Sequence, residues 1–214
     1  MYKRQVLHSP DEEIDAVYFP LRGVASLVGL GMEGEEVDTA MIGNEGMVGL
    51  PVFLGTGQMP VKAMVQIDME ALSMPAGQLR AELEQAGSLA SLLMRYAQMV
   101  LIELAQLVLC NRAHSLERRT ARWILQINER LGGDPPFETT QEFVAAMLGS
   151  PRPHVTTVMQ SLREDGLITY GRATMQVTDA ARLEARSCAC YRTIRDELNR
   201  LLTAGERKDA TGPD

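Results

Sequence analysis

The hydrophobic periodicity of the chain changes at Pro75, and this change constrains the fold more than any other feature. Before it, short segments rich in apolar and β-branched residues alternate with glycine-containing turns, a pattern typical of an antiparallel barrel or roll. The predicted strands are 17–19, 24–30, 37–42, 48–54 and 61–74, with turns at 21–23, 31–34, 43–46 and 55–57. After Pro75, apolar residues recur at helical spacing. The sequence therefore predicts an α+β fold with an N-terminal antiparallel β-roll.

A long helix is predicted from 88 to about 112, with Ser88 as its N-cap, after a short helix at 76–85. Two apolar stripes run along the long helix. The first contains Leu89, Leu93, Tyr96, Val100 and Leu107, and the second contains Leu92, Met99, Leu104 and Val108. A helix that is apolar on two sides must be covered twice. We expect one face to pack on the roll and the other on a partner helix, and we assign the first stripe to dimerisation. The alternative is a helix buried inside a single monomer.

Residues 139–178 predict a helix-turn-helix followed by a wing. The first helix ends at Gly149, which permits a tight turn, and Ser150 suits the N-cap of a second helix at 151–165. A two-stranded wing follows at 168–170 and 174–178, with Arg172 at its tip. Another amphipathic helix at 115–131 precedes the pair. The last third of the chain is therefore predicted to be a winged helix-turn-helix.

The second helix of the pair has the charge pattern of a helix that reads DNA. No acidic residue lies between Ser150 and Arg163, and a helix among phosphates excludes carboxylates. In helix-turn-helix proteins the N-terminal residues of this helix enter the major groove. The predicted DNA-binding residues are Arg152, His154, Thr156, Thr157, Gln160, Arg163 and Arg172, with Arg118 or Arg119 as further candidates for a phosphate. The alternative is a helix pair that only packs.

The net charge of −7 does not exclude DNA as a partner. Residues 1–113 hold 7 basic and 14 acidic side chains, whereas residues 114–214 hold 14 of each. DNA binding depends on a local basic face rather than on whole-chain charge. Because the sequence contains neither an uninterrupted apolar run of about 18 residues nor a secretory leader, we expect a cytoplasmic protein without a membrane partner.

The three cysteines are too few for a disulfide framework. Cys188 and Cys190 form a C-x-C pair, but no second Cys or His cluster lies near them in the sequence. We therefore expect ordinary reduced helix residues rather than a metal or redox site. Paired carboxylates, a nucleophile elbow and a phosphate-binding glycine loop are also lacking, so we predict no catalytic residues, no metal, no cofactor and no enzyme.

These features together resemble the cyclic-AMP receptor protein/FNR superfamily of bacterial transcription regulators. Residues 17–20, 23–27 and 43–49 resemble the β-roll sensor of the family, which is a cyclic-nucleotide-binding-like jelly roll. Residues 140–149, Arg152, Val155 and 162–167 resemble its DNA-binding module. The resemblance implies a long dimerisation helix between the two and a homodimer bound to double-stranded DNA. It also implies RNA polymerase and an unidentified small-molecule effector as further partners.

The chain departs from the family where the nucleotide and the metal would bind. The family's Gly-Glu-Leu motif and Arg-Ser or Arg-Ala pair are replaced by Gly49-Leu50-Pro51 and Pro60-Val61-Lys62-Ala63. A buried phosphate without its counter-charge is costly, so we expect no control by cyclic AMP. FNR-type iron–sulfur sensing needs an N-terminal cysteine cluster, which this sequence lacks. His8 and His114 remain candidates for haem ligands, although a lone surface histidine is the simpler interpretation.

The resulting prediction is a transcription regulator that acts as a homodimer on a pseudo-palindromic operator. Its predicted units are a β-roll at 1–87, a dimerisation helix and hinge at 88–112, a winged helix at 113–204 and a frayed tail at 205–214. The rival hypothesis is a small-ligand sensor that works through protein partners and retains a vestigial winged helix.

Overall fold

A computed structural model describes residues 1–85, 87–133 and 136–209, the last seven of them by backbone alone. Four strands form the N-terminal sheet: β1 (Val6–His8), β2 (Ala16–Leu30), β3 (Glu36–Ile42) and β4 (Lys62–Pro75). Their order is β1-β4-β2-β3, and every neighbouring pair is antiparallel. Apart from one short helix between β3 and β4, the helices and the second sheet follow in the chain, so the predicted α+β fold is confirmed.

The turn predicted at 21–23 is wrong, because β2 continues through it. Its pairing with β4 shifts register near Arg22, which is a bulge that bends the long ribbon. Gly23 has φ of +83°, and a Cβ atom there would lie 2.1 Å from the backbone oxygen of Asp68. Glycine is therefore required by the close approach of two strands rather than by a chain reversal.

The strand predicted at 48–54 is also wrong, because this segment forms the short helix α1 (Leu50–Phe53). Only Val48 forms a bridge, with Tyr18. Gly49 then takes a left-handed conformation with φ of 103°, and Pro51 has no N–H to donate to a ladder. The apolar composition of the segment reflects burial of Val52 in the roll.

Two helices lead away from the roll, namely α2 (Ala76–Glu84) and α3 (Ser88–Ala113). The N-cap of α3 is Gly87, with no side-chain bond, so the capping role expected for Ser88 is wrong. By length and composition α3 could cross a membrane. In the fold, Leu93 and Tyr96 of α3 pack into the roll beside Val17 and Met47.

The winged helix-turn-helix is formed by α4 (Leu116–Arg130), β5 (Phe137–Glu138), α5 (Gln141–Met147), α6 (Arg152–Glu164), β6 (Ile168–Tyr170), β7 (Thr174–Val177) and α7 (Ala180–Arg186). Ser115 caps α4 and Thr140 caps α5 through their side chains. The N-cap of α6 is Pro151 rather than the expected Ser150. The wing has three strands in the order β5-β7-β6, because Phe137 pairs with Met175 outside the predicted hairpin.

A last helix, α8 (Ala189–Asp209), packs along α3. Ile194 and Leu201 of α8 form a buried cluster with Met99 of α3. The frayed tail expected at 205–214 is wrong for residues 205–209, which belong to α8, and residues 210–214 lie outside the described part of the chain. The second apolar stripe of the long helix, which contains Met99, is thus covered in part by a later helix of the same chain.

The roll and the winged helix share one hydrophobic core. Val24, Met41 and Ile67 of the roll belong to the same buried cluster as Trp123 of α4 and Met147 of α5. The roll and the winged helix are therefore packed against each other in this structure.

Candidate nucleic-acid interface

The orientation of α6 is fixed by three buried side chains, Val155, Met159 and Leu162, which pack into the core of the winged helix. The turn before α6 places Gly149 at φ of +56°, a conformation that favours glycine. Because the inward positions follow helical spacing, the opposite face of α6 is turned to solvent. That face and the wing form the surface that we call the recognition face.

The recognition face contains the residues predicted from the sequence. Those exposed on it are Arg152, His154, Thr157, Gln160, Arg163 and Arg172. Thr156 is half-buried, and its hydroxyl donates a 2.8 Å hydrogen bond to Oε1 of Gln141. In the described part of the chain, none of Arg152, Arg163 and Arg172 forms an ion pair. Their guanidinium groups therefore remain available for external anions.

Two hydrogen bonds within α6 hold the side chains of Thr157 and Gln160 on the recognition face. The Thr157 hydroxyl donates to the carbonyl oxygen of Pro153 at 3.1 Å. The Gln160 amide donates to Oε1 of Glu164 at 2.8 Å. These side chains are held by their own helix and must release those bonds to read a base edge.

Gln141 and Tyr170 were not predicted as part of the site. The backbone N–H of Gln141 donates to the hydroxyl of Tyr170 at 3.0 Å, which joins the start of α5 to the wing. Both side chains line a groove beside Gln160 and Arg163. The polar Thr140-Gln141 pair at the helix start was the sequence signal that could have indicated them.

Arg119 has a different position from the one expected. Its Nη1 donates to Oδ1 of Asn111 and to the carbonyl oxygen of Leu148, both at 3.2 Å. It therefore ties the end of α3 to the end of α5, while the neighbouring Arg118 is exposed. Of the two candidates for an additional phosphate contact, only Arg118 keeps its side chain in solvent.

The dimerisation stripe expected on α3 is wrong for its central residues. Leu93 and Tyr96 are buried in the roll, and Leu89 and Val100 pack against the same cluster. Leu107 lines a pocket shared with β3 and α4. A different row is left exposed, with Met94 at 58%, Leu101 at 67% and Val108 at 72%.

A small cavity lies between the roll and α3, next to the segment 49–51 that the sequence analysis compared with a nucleotide site. Its lining is apolar apart from Tyr96, whose hydroxyl donates to the carbonyl oxygen of Met47 at 3.2 Å. The full lining is Leu27, Ala40, Ile42, Met47, Gly49, Leu50, Pro51, Met59, Tyr96 and Val100. Lys62 does not line it and instead pairs with Glu36. The lining thus offers no positive charge to a phosphate.

A buried polar network joins the roll, α3 and α4. Arg130 Nε donates to Oε1 of Glu45 at 2.7 Å, and its Nη2 lies 3.7 Å from Oε1 of Glu103. The Gln126 amide donates to the same Glu103 oxygen at 3.1 Å. Asp38 is buried nearby, and burial together with the charge of Glu103 raises its pKa to about 7.

The two histidines considered for haem have other contacts. His8 is buried, and its Nε2 lies 2.8 Å from the carbonyl oxygen of Ala16. His114 lies beside three cysteines. Its Nδ1 is 3.7 Å from the sulfur of Cys190, and Cys110 and Cys188 complete the group. The expectation that Cys188 and Cys190 lack further ligands is therefore wrong, because α8 returns to the end of α3.

Comparison with known proteins gives two matches that together span both units. The family model described as cyclic nucleotide-binding domain matches residues 1–86, and the one described as Crp-like helix-turn-helix domain matches residues 118–186. A relative named cyclic AMP receptor protein, from Thermus thermophilus, is 28% identical over 173 residues, which are 79% of this chain and 78% of the relative.

Solved structures show the same fold at low identity. FixK2 from Bradyrhizobium japonicum has a TM-score of 0.74 and 17% identity, with 88% of this chain and 95% of FixK2 covered. A transcriptional regulator of the CRP/FNR family from Thermus thermophilus has a TM-score of 0.67 and 22% identity, with 87% and 96% covered. Both the roll and the winged helix are included in these superpositions.

Proposed function

We infer that this chain, a member of the cyclic-AMP receptor protein/FNR superfamily of transcription regulators, binds DNA in a sequence-specific way. It would act as a homodimer on a pseudo-palindromic operator. The observation that carries the proposal is the recognition face. Three arginines there, Arg152, Arg163 and Arg172, are exposed and form no ion pair within the described residues, and α6 has no carboxylate before Glu164. Members of the family are transcription regulators, not enzymes.

The contacts can be divided by the chemistry of the groups. Arg152 stands at the first position of α6, from which a guanidinium reaches the O6 and N7 edge of a guanine. Arg163 near the end of α6 and Arg172 at the tip of the wing suit phosphates, which fix position without reading sequence. Thr156, Thr157, Gln160 and His154 supply the remaining donors of the face.

Dimerisation is proposed through the exposed row of α3 rather than through the stripe predicted first. The row contains the exposed positions Ser91, Met94, Gln98, Leu101, Ala105, Val108 and Arg112, which repeat at alternating intervals of three and four residues. This is the spacing of the a and d positions of a coiled coil, and Met94, Leu101 and Val108 are its large apolar side chains that would pack between residues of a facing helix. Two copies joined along this row would present two recognition helices to successive major grooves, about 34 Å apart.

The apolar cavity supports a regulator that does not respond to cyclic AMP. A nucleotide phosphate placed among Met47, Leu50 and Tyr96 would lose its hydration without gaining a counter-charge. A different small-molecule effector, a contact with RNA polymerase and a cytoplasmic location all remain part of the proposal. The proposed units are the roll at 1–87, the α3 segment at 88–112 and the winged helix from 113 to 204.

The proposal is tested by selecting genomic fragments with the purified protein at about 150 mM salt, with and without cyclic AMP. We expect enrichment of a shared inverted repeat without nucleotide. A triple variant with Arg152, Arg163 and Arg172 changed to alanine should lose the enrichment. The matched control is Arg192→Ala, which removes an exposed arginine of α8 outside the recognition face.

Two other outcomes of the selection would change the conclusion. Enrichment only with cyclic AMP would retain the DNA-binding function and overturn the argument from the cavity. Salt-independent capture of a protein partner, with no DNA enriched under either condition, would favour the sensor with a vestigial winged helix.

A further inference from the structure

Four side chains with metal-binding atoms converge where α8 begins beside the end of α3. Cys110 and His114 stand one helical turn apart at the end of α3, and Cys188 and Cys190 lie at the start of α8. Their ligand atoms all lie within 4.8 Å of one another. The sulfurs of Cys110 and Cys188 are 3.4 Å apart, and Cys190 Sγ is 3.7 Å from His114 Nδ1. We call this group the Cys–His cluster.

These distances fit ligands that surround one small cation. Zinc bonds to sulfur at about 2.3 Å and to nitrogen at about 2.0–2.1 Å in a tetrahedron, so two sulfur ligands lie about 3.8 Å apart and a sulfur and a nitrogen ligand about 3.6 Å apart. The two short distances in the cluster differ from these values by no more than about 0.4 Å. The longest requires a contraction of about 1 Å, which side-chain rotations supply. Three sulfurs and one imidazole form a complete set of four, as in structural zinc sites with no open position.

The surroundings of the cluster are suited to the charge of such a site. The three sulfurs are almost fully buried, with residue exposures of 0, 3 and 2% for Cys110, Cys188 and Cys190. Three thiolates and one Zn²⁺ carry a net charge of −1, which is costly in a buried place unless it is paired. Arg122 of α4 is buried and places a positive charge close enough to interact with all three cysteines. Its Nε has no hydrogen-bond partner among the described residues.

We propose that Cys110, His114, Cys188 and Cys190 bind one structural Zn²⁺ ion that fastens the end of α3 to the start of α8. The ion would bridge residues that are 78 positions apart in the sequence. It would hold the segment between α3 and α4, where the roll and the winged helix meet. Farther from the Cys–His cluster, α8 packs on α3 through Met99, Ile194 and Leu201. This proposal does not depend on DNA binding.

The test begins with elemental analysis of the full chain purified under reducing, anaerobic conditions and refilled with zinc. We expect about one tightly held zinc ion per chain. Cobalt exchanged into the site should show the intense visible absorption of tetrahedral Co²⁺ with thiolate ligands. A chelator should release the metal and lower Tm by about 5–10 °C, and added zinc should restore it.

Variants distinguish the cluster from adventitious binding. His114→Asn removes one ligand from a half-buried position and should lower zinc affinity at least about 10-fold with a folded chain. His154→Ala, an exposed histidine of α6, is the matched control and should leave zinc content unchanged. Cys188→Ser should abolish the cobalt spectrum. If this variant does not fold, chelation and refilling of the unmodified chain still decide the result.

Three results would overturn the proposal. The first is a refilled protein that holds less than about a tenth of one zinc ion per chain. The second is an isolated protein whose Cys110 and Cys188 form a disulfide and that takes up no metal after reduction. The third is a coloured protein that contains iron and sulfide in place of zinc.

Discussion

Arg152 is the residue of the recognition face whose position best suits base reading. It is exposed at the first turn of α6, and its guanidinium forms no ion pair with the described part of the chain. We predict that Arg152→Ala relaxes specificity at one base position and costs about 1–3 kcal/mol of binding free energy on the preferred operator. The measurement is a set of dissociation constants on operators with single base changes.

Arg163→Ala is the comparison variant for this prediction, because Arg163 lies near the end of α6, where a phosphate contact is expected. Its loss should weaken binding to all sequences equally and reduce the salt slope by about 1. If Arg152→Ala also weakened every operator equally, the role in base reading would be rejected.

Asp38 is the residue whose buried carboxyl should make the stability of the protein depend on pH. Burial and the charge of Glu103 raise its pKa to about 7, against the opposing charges of Arg122 and Arg130. The folded chain therefore keeps a proton that the unfolded chain loses near pH 4. Because the folded state binds more protons, the free energy of unfolding contributed by Asp38 falls as pH rises from about 4 to 7.

The predicted test of this linkage is Asp38→Asn. The free energy of unfolding of the unmodified protein should fall by an amount on the order of 2–4 kcal/mol between about pH 4 and 7 because of Asp38. The variant should not show this fall, because asparagine does not ionise. Urea unfolding at several pH values measures it, and the exposed Asp196→Asn serves as control. Parallel pH profiles for Asp38→Asn and the unmodified chain would contradict the prediction.

At the scale of elements, α3 packs on two neighbours and leaves a third side exposed. One side packs on the roll through Leu93 and Tyr96, and another packs on α8 through Met99. The third side presents Met94, Leu101 and Val108 to solvent at intervals of seven residues. A helix with this much exposed apolar surface at heptad spacing needs a further partner helix.

We predict that Leu101→Glu separates the proposed dimer. A carboxylate at the centre of the seam would face its copy, and like charges in an apolar seam weaken a coiled coil. The dissociation constant of the dimer should rise at least about 100-fold, as measured by sedimentation, and full-site operator binding should fall with it. Leu72→Glu, on an exposed position of β4, is the matched control. A Leu101→Glu protein that remains dimeric would move the interface elsewhere.

At the scale of the whole molecule, Arg130 of α4 joins the roll to the winged helix. It is buried, and it pairs with Glu45 from the roll and with Glu103 from α3. A buried pair whose cation is removed leaves uncompensated charge, which costs much more than the loss of a surface pair. The two units are therefore expected to unfold together rather than separately.

We predict that Arg130→Gln lowers the free energy of unfolding by about 3–5 kcal/mol. Trp123, the single tryptophan of the chain, lies in the shared core and reports the transition by fluorescence. Arg192→Gln, which removes an exposed ion pair with Glu184, should change stability by no more than about 1 kcal/mol. Equal effects of the two variants would show that the Arg130 pair does not join the units.

The sequence by itself determined the features that depend on near neighbours in the chain. The turn at Gly149, the inward face of α6 and the hairpin around Arg172 all follow from residues within one or two helical turns of each other. The residues predicted for the recognition face are brought together for the same reason, since six of them share one short helix. The caps expected at Ser88 and Ser150 are wrong by one residue each, because Gly87 and Pro151 take those positions. Segment 48–54 was misread because a short apolar run does not distinguish a strand from a helix.

Only the tertiary structure decided which face of α3 is covered, because that depends on α8, a helix that begins more than 70 residues later. The same return of the chain places Cys110 and His114 beside Cys188 and Cys190, and packing of the roll on α4 places Glu45 beside Arg130. Hydrophobic periodicity indicates which face of a helix is apolar, but it does not indicate which element buries that face. That choice is made by whole elements packing together, so contacts between distant residues cannot be read from local sequence.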